Sequence, residues 1–107
     1  MTQLVLDPVR LQLLFPAATA SRTVRVRLLA QVVSYSVEDG HLLIRAHPAV
    51  IGEQDNAVVR IDVRPVINKL SLDHTEPGSC LDLTGYYDGW TVNVVECSLW
   101  SGCVSEK

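Results

Sequence analysis

The segment from Arg22 to Val37, RTVRVRLLAQVVSYSV, decides the fold of this chain. Apolar side chains recur at every second position as far as Val32, and most residues between them are polar. That period predicts a β-strand with one buried face, about twice as long as a usual strand. Beyond Val32 the apolar phase slips, so Val33, Tyr35 and Val37 are expected to face inward. Such a slip indicates a β-bulge, and a long bulged strand can pair with one neighbour at each end and begin a small barrel.

The composition is typical of one globular domain. The chain has 107 residues, of which 48% are apolar, enough to bury a core. Its net charge of -3 excludes a strong general attraction for nucleic acid. Any contact with DNA must therefore come from a local basic patch or from a partner chain. The sequence contains no apolar run near the ~20 residues that span a bilayer and no signal-peptide pattern. We therefore expect an intracellular protein without a membrane segment.

Motifs that support catalysis or metal binding are missing from the sequence. It contains no P-loop, no GxSxG and no HExxH. The three histidines, His41, His47 and His74, lack metal-ligand spacing. The three cysteines, Cys80, Cys97 and Cys103, are an odd number without CxxC spacing, which predicts reduced thiols. We expect no catalytic residue, no metal site and no cofactor.

Residues 1–21 can be interpreted in two ways. Asp7 followed by Pro8 is typical of a helix start, whereas the alternation after Pro8 is typical of a strand. Several side chains of this segment are too apolar to remain in water: Leu4, Val5, Leu6, Leu11, Leu13, Leu14 and Phe15. We therefore expect an apolar arm or short helix that packs on the domain or on another chain, followed by the main domain over residues 22–107.

Four more strands follow the first. Alternation predicts strands at His41–His47, Ala57–Val63, Ser79–Tyr87 and Trp90–Trp100. Asp-Gly pairs at 39–40 and 88–89 predict two-residue hairpin turns, and a phase slip in the last strand predicts another bulge. Apolar residues at helical spacing after Pro65 predict a short helix between the third and fourth strands. Residues 48–56 are expected to form a loop.

This order of elements favours an all-β fold, namely a five-stranded Greek-key OB-fold barrel with a short helix between strands 3 and 4. A β-sandwich would need about seven strands, and an SH3-like barrel lacks the helix. The fold alone does not give the function.

Arginines and aromatics supply a candidate nucleic-acid surface. Arginine can pair with phosphate, and an aromatic ring can stack on a base. Seven residues are predicted to contact single-stranded nucleic acid: Arg25, Arg27, Tyr35, Arg45, Arg60, Tyr87 and Trp90. The alternative is that the same residues have purely structural roles. Arginines on outward strand positions also solvate a barrel and protect its edges, and aromatics beside a hairpin also pack across strands.

A second set of residues is predicted to bind a protein partner. Exposed apolar pairs near a chain end more often anchor a protein than a base. The set combines the N-terminal arm with the end of the last strand: Leu11, Leu14, Phe15, Leu99 and Trp100.

Three segments resemble a known family. They read VRVRLLAQVVSYSVEDGHLLIRAH (24–47), AVVRIDVRPVINKL (57–70) and CLDLTGYYDGWTVNVVECSLWSG (80–102). The resemblance is to the smallest subunit of the fungal CST telomere-capping complex, the Ten-one family. The shared features are a basic first strand that ends in Ser34-Tyr35, a short apolar helix after strand three, and a Trp100-Ser101 pair after strand five.

The resemblance implies a non-catalytic OB-fold protein of the nucleus, at the telomeric region of the chromosome. It implies pairing with the middle OB subunit of the complex, with the large subunit completing the assembly, and protection of single-stranded telomeric DNA through the complex. Family members usually carry a C-terminal helix that packs on the partner, whereas this sequence ends at Lys107. We expect the N-terminal arm and Trp100 to contact the partner in place of that helix. The alternatives are the small structural OB subunit of replication protein A and a stand-alone single-strand-binding OB domain.

Overall fold

The computed structural model describes residues 2–46 and 57–100. The strands are β1 Gln3–Val5, β2 Val24–Ser36, β3 His41–Ala46, β4 Val59–Asp62, β5 Cys80–Tyr87 and β6 Val92–Leu99. The helices are α1 Leu11–Leu14, α2 Leu72–Thr75 and two 3-10 helices, Pro8–Arg10 and Arg64–Lys69. The loop predicted at 48–56 and the predictions for His47, Ser101 and Cys103 lie outside the described residues.

Strand β2 organises the sheet as the sequence predicts. Its residues 24–31 pair antiparallel with β5, and its residues 30–36 pair antiparallel with β3. The register shifts between Val32 and Ser34, which leaves Val33 as the extra residue of a bulge. The long bulged strand with a different neighbour at each end is therefore confirmed. Val37 follows the end of the strand and is 74% exposed, so its predicted inward position is wrong.

The six strands form one sheet in the order β1-β2-β3-β4-β6-β5, with β5 also paired to β2. Strands β4 and β6 meet in parallel at one residue pair, Asp62 opposite Asn93. The mostly β architecture is confirmed, but two details are corrected. The sheet has six strands instead of five, and it is not a continuously closed barrel, because one pair is too little to join β4 and β6 along their length.

The helix start predicted at Asp7 and Pro8 is confirmed, whereas the stretch after Pro8 whose alternation is typical of a strand is helical. Residues 3–5 pair in parallel with residues 26–28 of β2. The Asp7 carboxylate then accepts a hydrogen bond from the Val9 backbone N–H at 3.2 Å and caps the following 3-10 helix. Val5, Leu11 and Ala18 are buried in the same core as the central strands. The segment thus packs on the rest of the chain.

The core is built from the inward positions of the strands. Its fully buried side chains include Val26, Leu28, Leu42, Ile44, Ile61, Leu81, Leu83, Val92 and Val94. Burying a side chain of this size contributes about 1.5 to 3 kcal/mol. Strand β6 shifts register opposite Thr84 and Gly85, which leaves Val95 as an extra residue and confirms the second predicted bulge.

Both hairpin turns have four residues, so the predicted two-residue turns are wrong. The last paired residues are Ser36 with His41 in one hairpin and Tyr87 with Val92 in the other. Gly89 has a φ of +90°, which only glycine adopts without strain. The glycine of each Asp-Gly pair thus supplies a left-handed residue in a longer loop.

The insertion between β4 and β5 is helical, as predicted, but it consists of two short pieces. The 3-10 helix at 64–69 includes Pro65 in its first turn and buries Val66. Leu70 is extended, with φ of -80° and ψ of 137°, and separates this helix from the single turn of α2. None of the helices in the described part of the chain has the length and apolar character that crossing a bilayer requires.

The cysteines depart from the prediction of reduced thiols at one position. Cys80 takes part in a disulfide, whereas Cys97 is a free thiol. Burial, together with the charge of Asp82, raises the pKa of the Cys97 thiol to about 12. Because the thiolate is the reactive form, the raised pKa disfavours reaction of Cys97 at neutral pH.

Candidate nucleic-acid and partner surfaces

A groove of about 670 Å³ runs along the outer side of β4. Its walls come from β3, from the segment at 58–64 and from the turn between β5 and β6. Ile61 and Val63 are fully buried. Their neighbours Arg60 and Asp62 therefore lie on the outer side, because successive strand residues alternate between faces. Arg64, the first residue of the following 3-10 helix, lines the same groove.

Asp62 and Arg64 form an ion pair at the base of this groove. Asp62 is 4% exposed, and its carboxylate accepts hydrogen bonds from the Arg64 backbone N–H at 2.9 Å and from Arg64 Nη2 at 2.6 Å. The hydrogen bonds from Arg64 outweigh the effect of burial and hold the pKa of Asp62 below its usual value. The two formal charges of the pair offset each other, whereas no ion pair within the described residues involves Arg60.

The turn between β5 and β6 presents Trp90 to solvent. The Asp88 carboxylate accepts hydrogen bonds from the backbone N–H groups of Trp90 at 2.9 Å and Thr91 at 2.8 Å. The Trp90 side chain itself is 91% exposed. An aromatic side chain on a turn whose backbone is held in this way is suited to stacking on a base.

Acid sensitivity should follow from Asp62 and Asp88. Burial acts to raise the pKa of Asp88, but the hydrogen bonds from Thr91, Trp90 and Asn93 outweigh it, so that the pKa lies below the usual value. A carboxyl group whose folded pKa is lowered stabilises the protein above its unfolded pKa of about 3.9. That stability is lost as the pH falls through the folded pKa.

We therefore expect the free energy of unfolding to decrease with falling pH below about pH 5, and to do so less steeply in an Asp62→Asn, Asp88→Asn double variant. Urea denaturation followed by circular dichroism at a series of pH values measures both slopes. Equal acid slopes in the wild type and the double variant would contradict this assignment.

Arg25 and Arg27 lie on a different surface from the groove. They project from β2 beside the outer face of β5, where Arg25 is opposite Tyr86. Arg27 Nε and Nη2 donate to the Asp82 carboxylate at 2.9 and 2.6 Å. This bidentate pair raises the pKa of Arg27. It also offsets the charge of Arg27 locally, so Arg27 is less suited to binding a phosphate than the prediction assumes.

The remaining residues of the predicted nucleic-acid set are less exposed. Arg45 is half-buried and pairs across the strands with Gln31. Tyr35 is half-buried and packs against the core. Tyr87 is 4% exposed, and burial raises the pKa of its hydroxyl. Of the seven predicted contacts, Arg60 and Trp90 are brought together on the groove.

Sequence reasoning missed several groove residues. Asp62, Arg64 and Asp88 were not predicted to lie there, although the outward positions of Arg60 and Asp62 in the same strand were a usable signal for Asp62. His41 lines the groove as well, and its buried Nδ1 lacks a hydrogen-bond partner in the described parts of the chain. Nothing in the sequence around His41 indicates this position, because it depends on the register between β3 and β4.

The predicted partner-binding residues fall in two places. In the N-terminal segment, Leu14 is 53% exposed, whereas Leu11 is buried and Phe15 is half-buried against the core. At the end of β6, Leu99 is 49% exposed, and the next residue, Trp100, donates its backbone N–H to the Cys80 carbonyl at 2.9 Å. The structure adds exposed apolar side chains that the predicted set lacks: Leu4, Leu6, Val9 and Leu13.

No group of three or more potential metal ligands occurs within residues 2–46 and 57–100. The described site therefore consists of an aromatic and an arginine beside a groove, together with an apolar N-terminal surface. Such an arrangement is suited to binding nucleic acid at the groove and a protein at the N-terminal segment.

Comparisons with known proteins agree with this description. The chain has a fold similar to a chain in the crystal structure of yeast Stn1 and Ten1, with a TM-score of 0.68 and 18% identity. That match covers 94% of this chain and 81% of the other. No curated protein sequence matches the chain. The family model Ten1, described as a telomere-capping subunit of the CST complex, matches residues 1–103. The chain therefore belongs to the Ten1 family of telomere-capping CST complex subunits.

Proposed function

We propose that this protein is a non-catalytic CST subunit that pairs with an Stn1-type middle subunit in the nucleus, at telomeres. We also propose that its sheet is an OB-fold barrel with a narrow seam between β4 and β6, and that its groove contributes to holding single-stranded telomeric DNA. The family membership and the likeness to a structure of Stn1 and Ten1 support this assignment.

The single observation that carries the pairing is the apolar N-terminal surface. This surface consists of Leu4, Leu6, Val9, Leu13 and Leu14, which are each at least 40% exposed. They lie within eleven consecutive residues whose buried members anchor the segment to the core. Exposed apolar side chains concentrated in one short segment of a folded chain favour a protein-interaction site. Leu13, at 81% exposure, is the strongest candidate for an anchor residue.

The charges of the groove favour DNA binding by the complex over tight binding by this chain alone. Arg60 and Arg64 are balanced in formal charge by Asp62 and Asp88 in the same groove. The whole chain carries a net charge of -3. Since nonspecific affinity for single strands depends on positive charge along the backbone path, the groove supplies few contacts, and the partner is expected to supply the rest.

The pairing is tested with a Leu13→Asp, Leu14→Asp double variant. Both side chains are exposed, so the variant should fold normally, but two carboxylates in an apolar interface would remain unpaired and desolvated. We expect its affinity for the middle subunit to be weakened more than tenfold, measured by co-elution in size-exclusion chromatography and by calorimetry.

Leu72→Asp is the matched control, because Leu72 is 85% exposed on the other short α-helix. We expect it to co-elute with the middle subunit as the wild type does. Unchanged co-elution of the folded double variant would exclude the N-terminal surface as the partner site. Wild-type protein that does not bind the middle subunit would exclude the proposed pairing.

A stand-alone single-strand binder is the second candidate, favoured by the exposed Trp90 beside Arg60. It predicts salt-sensitive binding of G-rich single strands by the isolated chain in fluorescence anisotropy. If the isolated chain does not bind, this candidate is excluded and the subunit assignment is unaffected.

A further inference from the structure

A second, smaller cavity lies beside the groove and shares the Trp90 side chain with it. This cleft has a volume of about 290 Å³ and lies between the N-terminal segment and the turn from β5 to β6. Val59, Trp90 and Thr91 line both the cleft and the groove. The most exposed aromatic side chain of the described residues therefore lies between an arginine-bearing groove and a mainly apolar cleft.

The walls of the cleft are fixed by buried residues. Pro8 and Leu11 are buried and hold one wall against the core, while Tyr87 and Val92, at 4% and 1% exposure, form the opposite side. Gly89, in the turn, packs closely against the backbone of Ala18. The cleft is thus preformed.

We propose that the cleft binds one unpaired nucleobase, so that a single strand crossing the groove places neighbouring bases on both sides of Trp90. This rests on the proposed function, because it requires that single-stranded nucleic acid follow the groove. It deepens that function by assigning a base-binding role to the N-terminal segment, through Gln12.

The chemistry of the cleft favours a base over a purely apolar side chain. Its walls are mostly apolar, which suits the faces of a heteroaromatic ring. Gln12 adds a carboxamide with both donors and acceptors, which can meet the polar edge of a base. Arg60 lines the groove that adjoins the cleft at Val59, Trp90 and Thr91, and its guanidinium can pair with a phosphate of the same strand.

The test uses the heterodimer with the middle subunit and a fluorescein-labelled, single-stranded oligonucleotide of G and T. Trp90→Ala removes stacking on both sides and should weaken binding more than Gln12→Phe, which fills the cleft and leaves Trp90 in place. We expect a loss of about five-fold or more for Gln12→Phe, the lower end for one stacked base. Leu72→Phe, on an exposed position outside both cavities, should bind as the wild type does.

Abasic substitutions along the oligonucleotide locate the base. In the wild type, two neighbouring positions should be sensitive to base removal. In Gln12→Phe one of the two should lose its sensitivity, and in Trp90→Ala both should. Wild-type affinity in Gln12→Phe, or sensitivity to base removal that is unchanged by both variants, would overturn the proposal. So would a Gln12→Phe variant that no longer co-elutes with the middle subunit, since the cleft would then hold a side chain of the partner. Because heterodimer formation is scored separately by co-elution, failure of this proposal is distinguishable from failure of the pairing.

Discussion

Replacing Leu28 with alanine should lower the free energy of unfolding by about 2 to 5 kcal/mol. Leu28 is fully buried in β2, where the strand pairs with β5 on one side and with β1 on the other. Removing three carbons there leaves a cavity that the surrounding sheet cannot close, because both neighbouring strands hold the backbone. The central position of Leu28 makes this the largest effect that we expect of a single truncation.

Leu29→Ala is the matched control, since the same side chain is shortened one residue further along the same strand. Leu29 faces outward and is only partly buried, so its loss should cost well under half as much. Urea denaturation followed by circular dichroism measures both. Equal destabilisation by the two variants would mean that β2 does not have the inward face described here.

Gly89→Ala should also destabilise the protein strongly, by about 3 kcal/mol. The φ of Gly89 is +90°, which is strained for any residue with a Cβ. A Cβ here would also collide with the carbonyl oxygen of Ala18. The variant would therefore have to displace the N-terminal segment from the turn, and it should disturb the cleft beside Trp90 as well.

Gly78→Ala separates the two causes. Gly78 has a φ of +92°, but the space around its absent side chain is empty within 4 Å. Its substitution should therefore cost only the backbone strain, about 1 to 2 kcal/mol. The difference in thermal midpoint between the two variants measures how much the collision with Ala18 destabilises the protein. If Gly78→Ala were as damaging as Gly89→Ala, that contact would have no energetic importance.

Much of the sheet could be predicted, because the spacing of apolar residues along a strand shows which face of the strand is buried. The slip after Val32 and the second slip in β6 each correspond to a bulge at the expected place. The alternation of apolar residues in β5 also indicates the position of Tyr87. Leu81, Leu83 and Tyr87 share one face, so the alternation itself indicates that Tyr87 is buried.

Other features could not be predicted because they depend on register between distant segments. Strand β1 has three residues and exists because β2 offers it a free edge at residues 26–28. The pairing of Arg27 with Asp82 requires the alignment of β2 with β5, across 55 residues of sequence. For the same reason the four predicted arginines could not be assigned to separate surfaces, and only Arg60 reaches the groove.

Hydrogen–deuterium exchange of the chain, alone and with the middle CST subunit, tests the central claim most directly, since that claim is assembly through the apolar N-terminal surface. We predict that the middle subunit slows exchange in residues 4–14, and that the amides of α2 are unaffected. Unchanged exchange across residues 4–14 in a mixture shown to contain the complex would contradict the account.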